Sequence, residues 1–185
     1  MNFADLFPTT VAWSTATAFE LHTLAQEFEA NLERIHTACD TVEATDYAQP
    51  RVTSEFRTQD ILTHLELAHC ESMIDRAVKQ YHPHAKRAKS WIGILHTGMG
   101  HPPHSHAPAI CSGTLYLSTS TQGGELEFHT PNPYTRAGYF PYNQTRVQRK
   151  PQMGDIGVWP GWLEHSVTPN TSKQSRYAIS FDYKA

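Results

Sequence analysis

Two short stretches carry residue types able to do metal chemistry. One is His101-Pro102-Pro103-His104-Ser105-His106; the other is Pro160-Gly161-Trp162-Leu163-Glu164-His165. On an extended backbone, residues i and i+2 face the same side. His104 and His106 can therefore direct both imidazoles at one ion, and His165 offers a third from a distant strand-like segment. Neutral imidazole suits iron, zinc, copper and nickel. Pro102-Pro103 stiffens the approach to His104, as a preorganised site requires. The chain holds 12 histidines, but their clustering in residues 82–106 matters more than their number. Within that cluster, His82-Pro83-His84 reads as a polar helix terminus, where histidine interacts favourably with the helix dipole.

Arg176 follows His165 in a segment of strict alternation. Arg176, Ala178, Ser180 and Asp182 share one face, and Tyr177, Ile179, Phe181 and Tyr183 share the other. If the apolar face packs under a second layer, Arg176 points into the mouth of the fold. A buried guanidinium without a partner is costly. A bound carboxylate would satisfy it through a bidentate pair. Asp155 and Asp182 read as turn and strand-end residues, and Cys111 as a small core residue.

These residues need elements to position them. Thr17-Ala18-Phe19-Glu20 is a capping box. Behind it Leu21, Leu24, Phe28, Leu32 and Ile35 recur at helical spacing, predicting an amphipathic helix over 18–37. A second helix is expected over 58–81, capped by Thr58 or Ser54 and ended by Pro83. From Ser90 the period changes to two. Strands are expected at 91–95, 111–118, 125–129, 144–149, 155–160, 164–168 and 175–183. Gly123-Gly124 reads as a hairpin turn. In the strand after it, Leu126 and Phe128 point inward and the glutamates outward. Residues 130–143 read as a long loop whose Tyr134, Tyr139, Phe140 and Tyr142 could cover a substrate. Helices followed by short strands predict a mainly β fold with α: a sandwich or a jelly-roll barrel with two N-terminal helices packed outside. The expected organisation is a single domain over 1–185, with a lead-in and helical layer in 1–88 and the jelly-roll core in 89–185.

Composition narrows the partners. The 185 residues carry a formal net charge of -3, which argues against a general nucleic-acid binder. The cluster Lys86-Arg87-Ala88-Lys89 reads as solvated surface. No stretch approaches the roughly 18 apolar residues of a membrane span. Three cysteines without close spacing suggest reduced thiols and a cytoplasmic protein. Exposed edge strands are compatible with a homodimer, though sequence does not fix the oligomeric state.

The order Trp91…His104-x-His106…Ser112-Gly113-x-x-Tyr116…Gly154-Asp155…Trp159-Pro160-x-Trp162-Leu163-x-His165…Arg176-x-x-Ile179-Ser180-Phe181 resembles the 2-oxoglutarate- and Fe(II)-dependent oxygenases. It is most similar to a family of small oxygenases from phages and bacteria, over about residues 90–183. The resemblance implies a double-stranded β-helix, Fe(II) held at the HxD-type motif and by His165, and Arg176 as the 2-oxoglutarate anchor. It implies oxidative decarboxylation of 2-oxoglutarate with O₂ to succinate and CO₂, coupled to hydroxylation of a C–H bond. The substrate would be a small molecule or a side chain. Trp91, Tyr139 and Trp162 are the candidate substrate contacts.

The chain departs from that pattern twice. His106 stands where the motif has a carboxylate. It could ligate, stand aside, or be replaced by Glu125 or Glu127; the reading adopted is ligation by His104, His106 and His165. Ala178 stands where a hydroxyl usually accompanies the arginine, leaving Tyr116 and Ser180 as candidate replacements. Two rival readings use the same residues. Gly98…His104-x-His106 and Gly154…Pro160…His165 resemble the paired motifs of a cupin, which implies a three-histidine dioxygenase without 2-oxoglutarate. A non-catalytic jelly-roll binding module is the third reading.

Overall fold

The computed structural model describes residues 8–40, 51–52, 60–133 and 145–185. Its strands are β1 (Ala12–Thr15), β2 (Arg51–Val52), β3 (Lys86–Leu95), β4 (His101–His104), β5 (Cys111–Ser118), β6 (Leu126–His129), β7 (Arg146–Arg149), β8 (Asp155–Pro160), β9 (His165–Val167) and β10 (Arg176–Lys184). Its helices are α1 (Ala18–Asp40), α2 (Ile61–His64) and α3 (Ala68–Tyr81). The strands form two antiparallel sheets, a larger one in the order β1-β8-β5-β10-β3-β2 and a smaller one in the order β4-β9-β6-β7. This is the jelly-roll arrangement, mainly β with helices on one outer face.

The main core lies between the larger sheet and the helices. Ile92, Ile94, Leu115, Ile156, Ile179 and Phe181 meet Leu24, Ile35, Met73, Ile74 and Val78, all almost wholly buried. Gly113 is required here. A Cβ at that position would collide with the Gly157 carbonyl and the Phe181 ring, which pairs across from it on β10.

The capping box forms as its spacing requires. The Thr17 N–H donates to a Glu20 carboxylate oxygen at 2.8 Å, and the Glu20 N–H to the Thr17 hydroxyl at 3.3 Å. The helix ends at Tyr81, with His82 extended at φ −144° before Pro83.

Several expectations are corrected. The helix expected over 58–81 is two helices, parted at Leu65–Leu67 where Glu66 takes a φ of 56°. The break exposes backbone donors at the start of α3, and its N-cap, Leu67, has no side chain to satisfy them. Glu27 of α1 does so instead, accepting from the His69 and Cys70 N–H groups at 2.8 and 2.9 Å. Sequence periodicity cannot register a cap supplied from another helix. Thr58 and Ser54, the caps expected from sequence, lie outside the described residues.

The turn at Gly123-Gly124 does not close a hairpin. It carries the chain from β5 in the larger sheet to β6 in the smaller one, with Gly124 at φ +88°. The Lys86–Lys89 cluster is not simply solvated surface. β3 starts at Lys86, five residues before the strand expected at 91–95, and Arg87 is held by Asp60, Glu71 and Asp75. Glu127 is also buried rather than outward. It accepts from Gln148 at 2.6 Å and from Ser166 at 3.0 Å. Asn170, whose sequence context matches a glycosylation sequon, is fully buried. It donates to the Leu95 and Gln174 carbonyls at 2.8 Å each. No described helix is long and apolar enough to cross a membrane.

Candidate metal centre

The two sheets flank a cleft of about 640 Å³. His104 closes β4, and its Cα partner across the antiparallel pair is His165, the first residue of β9. That register sets the two rings 4.3 Å apart between centroids. The chain leaves the strand after His104, so His106 does not arrive by strand alternation. It is placed by a loop whose His106 N–H donates to the Gly161 carbonyl at 2.7 Å. The His106 ring lies between Trp91, stacked at 5.4 Å and 14°, and His165, stacked at 5.1 Å and 19°. One ring nitrogen from each of His104, His106 and His165 falls within 4.8 Å of the others.

Hydrogen bonding selects the tautomer of each ring. Nδ1 of His104 lies 2.8 Å from the Pro102 carbonyl, and Nδ1 of His165 lies 2.9 Å from the Leu163 carbonyl. Nδ1 of His106 lies 2.9 Å from an Asp182 carboxylate oxygen. Each acceptor places the ring proton on Nδ1 and leaves a lone pair on Nε2. His106 Nε2 is buried and has no hydrogen-bond partner. Burial, with His101 adding to it, pushes the pKa of His104 down to about 4; burial and His104 push that of His165 down to about 3. Both rings are therefore neutral at pH 7, the state a metal ligand requires. The donor set fits a divalent first-row metal. No carboxylate joins the triad among the described residues. Glu127 is engaged with Ser166 and Gln148, which removes it as a substitute ligand.

Arg176 lies along the same cleft and is 7% exposed. Its Nη1 donates to the Gly124 carbonyl at 3.1 Å, and its guanidinium sits 5.5 Å above the Tyr116 ring. Its Nε is buried without a partner, and no described carboxylate pairs with it. Burial pulls its pKa below the usual arginine value and raises that of Tyr116. Ser180 also lines the cleft, 3.3 Å from the Thr114 hydroxyl. Trp91 lines it as well. Trp162 does not; it is 53% exposed on the turn before β9. Tyr139 and its aromatic neighbours lie outside the described residues.

Sequence reading missed two members of the site. His101 lines the cleft with its ring 3.9 Å from that of His104. Asp182, taken from sequence for a strand-end residue, is buried behind His106. Its signal was present in the alternation, which puts it on the Arg176 face. Trp159 is 1% exposed beside His165, with its indole N–H unpartnered.

Fold and site together define a jelly-roll protein with a histidine-lined cleft. The family described as "Putative 2OG-Fe(II) oxygenase" matches residues 89–182, a little over half of the chain. The chain belongs to that family of 2-oxoglutarate- and Fe(II)-dependent oxygenases, whose cofactors are iron, 2-oxoglutarate and O₂. The cupin resemblance does not hold against this match. No curated protein matches the chain. Among solved structures, it is similar to the non-heme alpha ketoglutarate dependent epimerase SnoN from nogalamycin biosynthesis. That similarity has a TM-score of 0.71 and 14% identity, over 95% of this chain and 77% of that one. HygX from Streptomyces hygroscopicus, solved with nickel and 2-oxoglutarate bound, gives 0.63 and 15% over 95% and 82%. A Pseudomonas putida prolyl-4-hydroxylase gives 0.61 and 14% over 95% and 92%. At these identities the likeness is one of fold.

Proposed function

We propose that this oxygenase hydroxylates a C–H bond of a small molecule or an exposed side chain, with iron held by His104, His106 and His165 and 2-oxoglutarate anchored by Arg176. The observation that carries the reading is the pairing, in one cleft, of three convergent imidazoles with a buried arginine that has no carboxylate partner. The first group needs a metal and the second an anion. The hydroxylase likeness among the structural neighbours supports the reaction type. HygX, with both nickel and 2-oxoglutarate bound, supports the ligand pair.

When bound, Fe(II) with 2-oxoglutarate and O₂ supplies the oxidising chemistry, yielding succinate, CO₂ and an oxygen atom for the substrate. The protein's residues bind and orient. The Pro102 and Leu163 carbonyls and Asp182 hold the three imidazoles in the metal-binding tautomer. Arg176 offers its unpaired donors to the distal carboxylate in a site too buried for water to compete. Tyr116, opposite Ala178 on β5, sits beneath the guanidinium, and Tyr116 and Ser180 are the candidates to take the place of the hydroxyl missing at Ala178. Trp91 walls the cleft beside His106.

The test is succinate formation from 2-oxoglutarate with Fe(II) and O₂, which proceeds slowly in such enzymes without a prime substrate. Succinate from the native protein and none from His165→Ala is the expected result. Lack of both 2-oxoglutarate binding and turnover in the native protein would overturn the reading. For any substrate found, one atom from ¹⁸O₂ in the product marks hydroxylation. Epimerisation or ring closure, named for neighbours of the same fold, would leave the product without that atom.

A further inference from the structure

The site lacks the carboxylate that usually completes an HxD-type metal centre, yet a carboxylate stands one residue behind it. Asp182 is 4% exposed. Its Oδ1 accepts from His106 Nδ1 at 2.9 Å and from the Ser112 hydroxyl at 2.7 Å, and its Oδ2 lies 3.5 Å from the Lys89 ammonium. These three contacts come from the His106 loop, β5 and β3, while Asp182 itself is on β10. Burying a carboxylate is costly without such partners. The other side of the same imidazole, Nε2, is the buried atom with no partner.

We infer that Asp182 is the positioning residue of this metal centre: an outer carboxylate that supplies, through the His106 ring, the negative charge that the missing ligand would have supplied directly. This inference rests on the three-histidine reading of the site. Three neutral imidazoles leave the full double charge of a divalent ion in the cleft. A carboxylate hydrogen-bonded to one of them offsets one unit and makes that imidazole a stronger donor. The His104 and His165 rings are tied to backbone carbonyls, which are neutral. Of the three ligand positions, only the one where the motif normally has a carboxylate is backed by one. Ser112 fixes the carboxylate, and Trp91 fixes the ring plane by stacking. The substitution at position 106 is thereby compensated within the same cleft rather than left as a defect.

The test is anaerobic titration of the full chain with Co(II) and with Fe(II), read by the Co(II) visible spectrum and by calorimetry. The variants are Asp182→Asn, Asp182→Ala and His106→Ala, with thermal unfolding of each apoprotein measured alongside. Asp182→Asn keeps an acceptor for Nδ1 and the side-chain shape but removes the charge, so it remains informative even if Asp182→Ala does not fold. Metal affinity should fall about 10-fold in Asp182→Asn and about 100-fold in Asp182→Ala, the span typical of lost outer-sphere partners. The Co(II) spectrum should shift in both. The Fe(III)/Fe(II) potential should rise in Asp182→Asn, because less negative charge favours Fe(II). A purely structural role would lower apoprotein stability and leave these three readings unchanged; that outcome overturns the inference. The ligand reading fails separately, if the native chain binds neither metal or if His106→Ala binds as tightly as the native chain.

Discussion

Along β10, successive side chains enter two unlike environments. Ile179, Phe181 and Tyr183 turn toward the helices and join the apolar core. Arg176, Ala178, Ser180 and Asp182 turn into the cleft between the sheets. Both sets are largely buried. One consists of groups that satisfy each other by packing. The other faces a cleft whose polar needs the protein meets only in part: Arg176 Nε of β10, and His106 Nε2 and Trp159 Nε1 across from it, are buried without partners. Native proteins pair most such atoms; of the four found among the described residues, three line this cleft and the fourth, Arg149 Nε, lies elsewhere. The main apolar core lies on the helix-facing side of the sheet, and the candidate site on the other.

That contrast can be broken by substitution. The largest effect is expected at the triad, where His104→Ala or His165→Ala should abolish Fe(II) binding and succinate formation. The apoprotein should keep most of its thermal stability, as measured by calorimetric unfolding. Loss of folding in both would erase the distinction between the two faces. Arg176→Ala should weaken 2-oxoglutarate binding by about 2 kcal/mol or more, roughly 30-fold, since a desolvated charge pair loses one partner. It should cost the apoprotein little, because the buried guanidinium has no carboxylate partner and its one hydrogen bond is to the Gly124 carbonyl. Isothermal titration with 2-oxoglutarate and thermal unfolding of the same samples check both halves.

The opposite pattern is expected across the sheet. Phe181→Ala removes a fully buried ring and should destabilise by about 3–5 kcal/mol. Per folded molecule, metal affinity should be preserved. Urea unfolding and Co(II) titration separate the two. Gly113→Ala, on the same side, should destabilise through overpacking by about 1–3 kcal/mol.

The smallest effect belongs to the helix layer itself. Hydrogen bonds from the Thr17 backbone and hydroxyl hold the Glu20 carboxyl down to about 2, from the usual 4.5. A lowered folded-state pKa contributes stability that is complete above pH 4.5 and is lost as pH falls toward 2. Thr17→Ala should cost about 1 kcal/mol at neutral pH and flatten the fall in stability across that window. Thermal unfolding from pH 6 to 2.5 would show it, and a slope unchanged in the variant would assign the acid sensitivity elsewhere.

Much of this was legible in the sequence because it depends on period and local spacing. The capping box at Thr17, the helix end before Pro83 and the two faces of β10 follow from residue type and interval; His104, His106, His165 and Arg176 were picked out by type, but a loop rather than strand alternation places His106. Where sequence reading went astray, the cause was a partner far along the chain. Glu27 caps a helix that begins 41 residues later, at Ala68. Glu127 was expected in solvent because its strand alternates, but Ser166 and Gln148 of the neighbouring strands receive it. Gly123-Gly124 announces a turn, but not which sheet the chain enters next.

Residue type and spacing by themselves determined a fold of helices followed by short strands, picked out the candidate histidines and arginine, and carried the resemblance to the oxygenase family, from which the jelly roll followed. Tertiary structure decided how the departure at His106 is accommodated. Ser112, His106 and Asp182 come from different parts of the chain and meet only because β5 and β10 pair with Ser112 opposite Asp182. A hydrogen bond requires heavy atoms within about 3 Å. Strand register sets that distance here, and no local pattern encodes it.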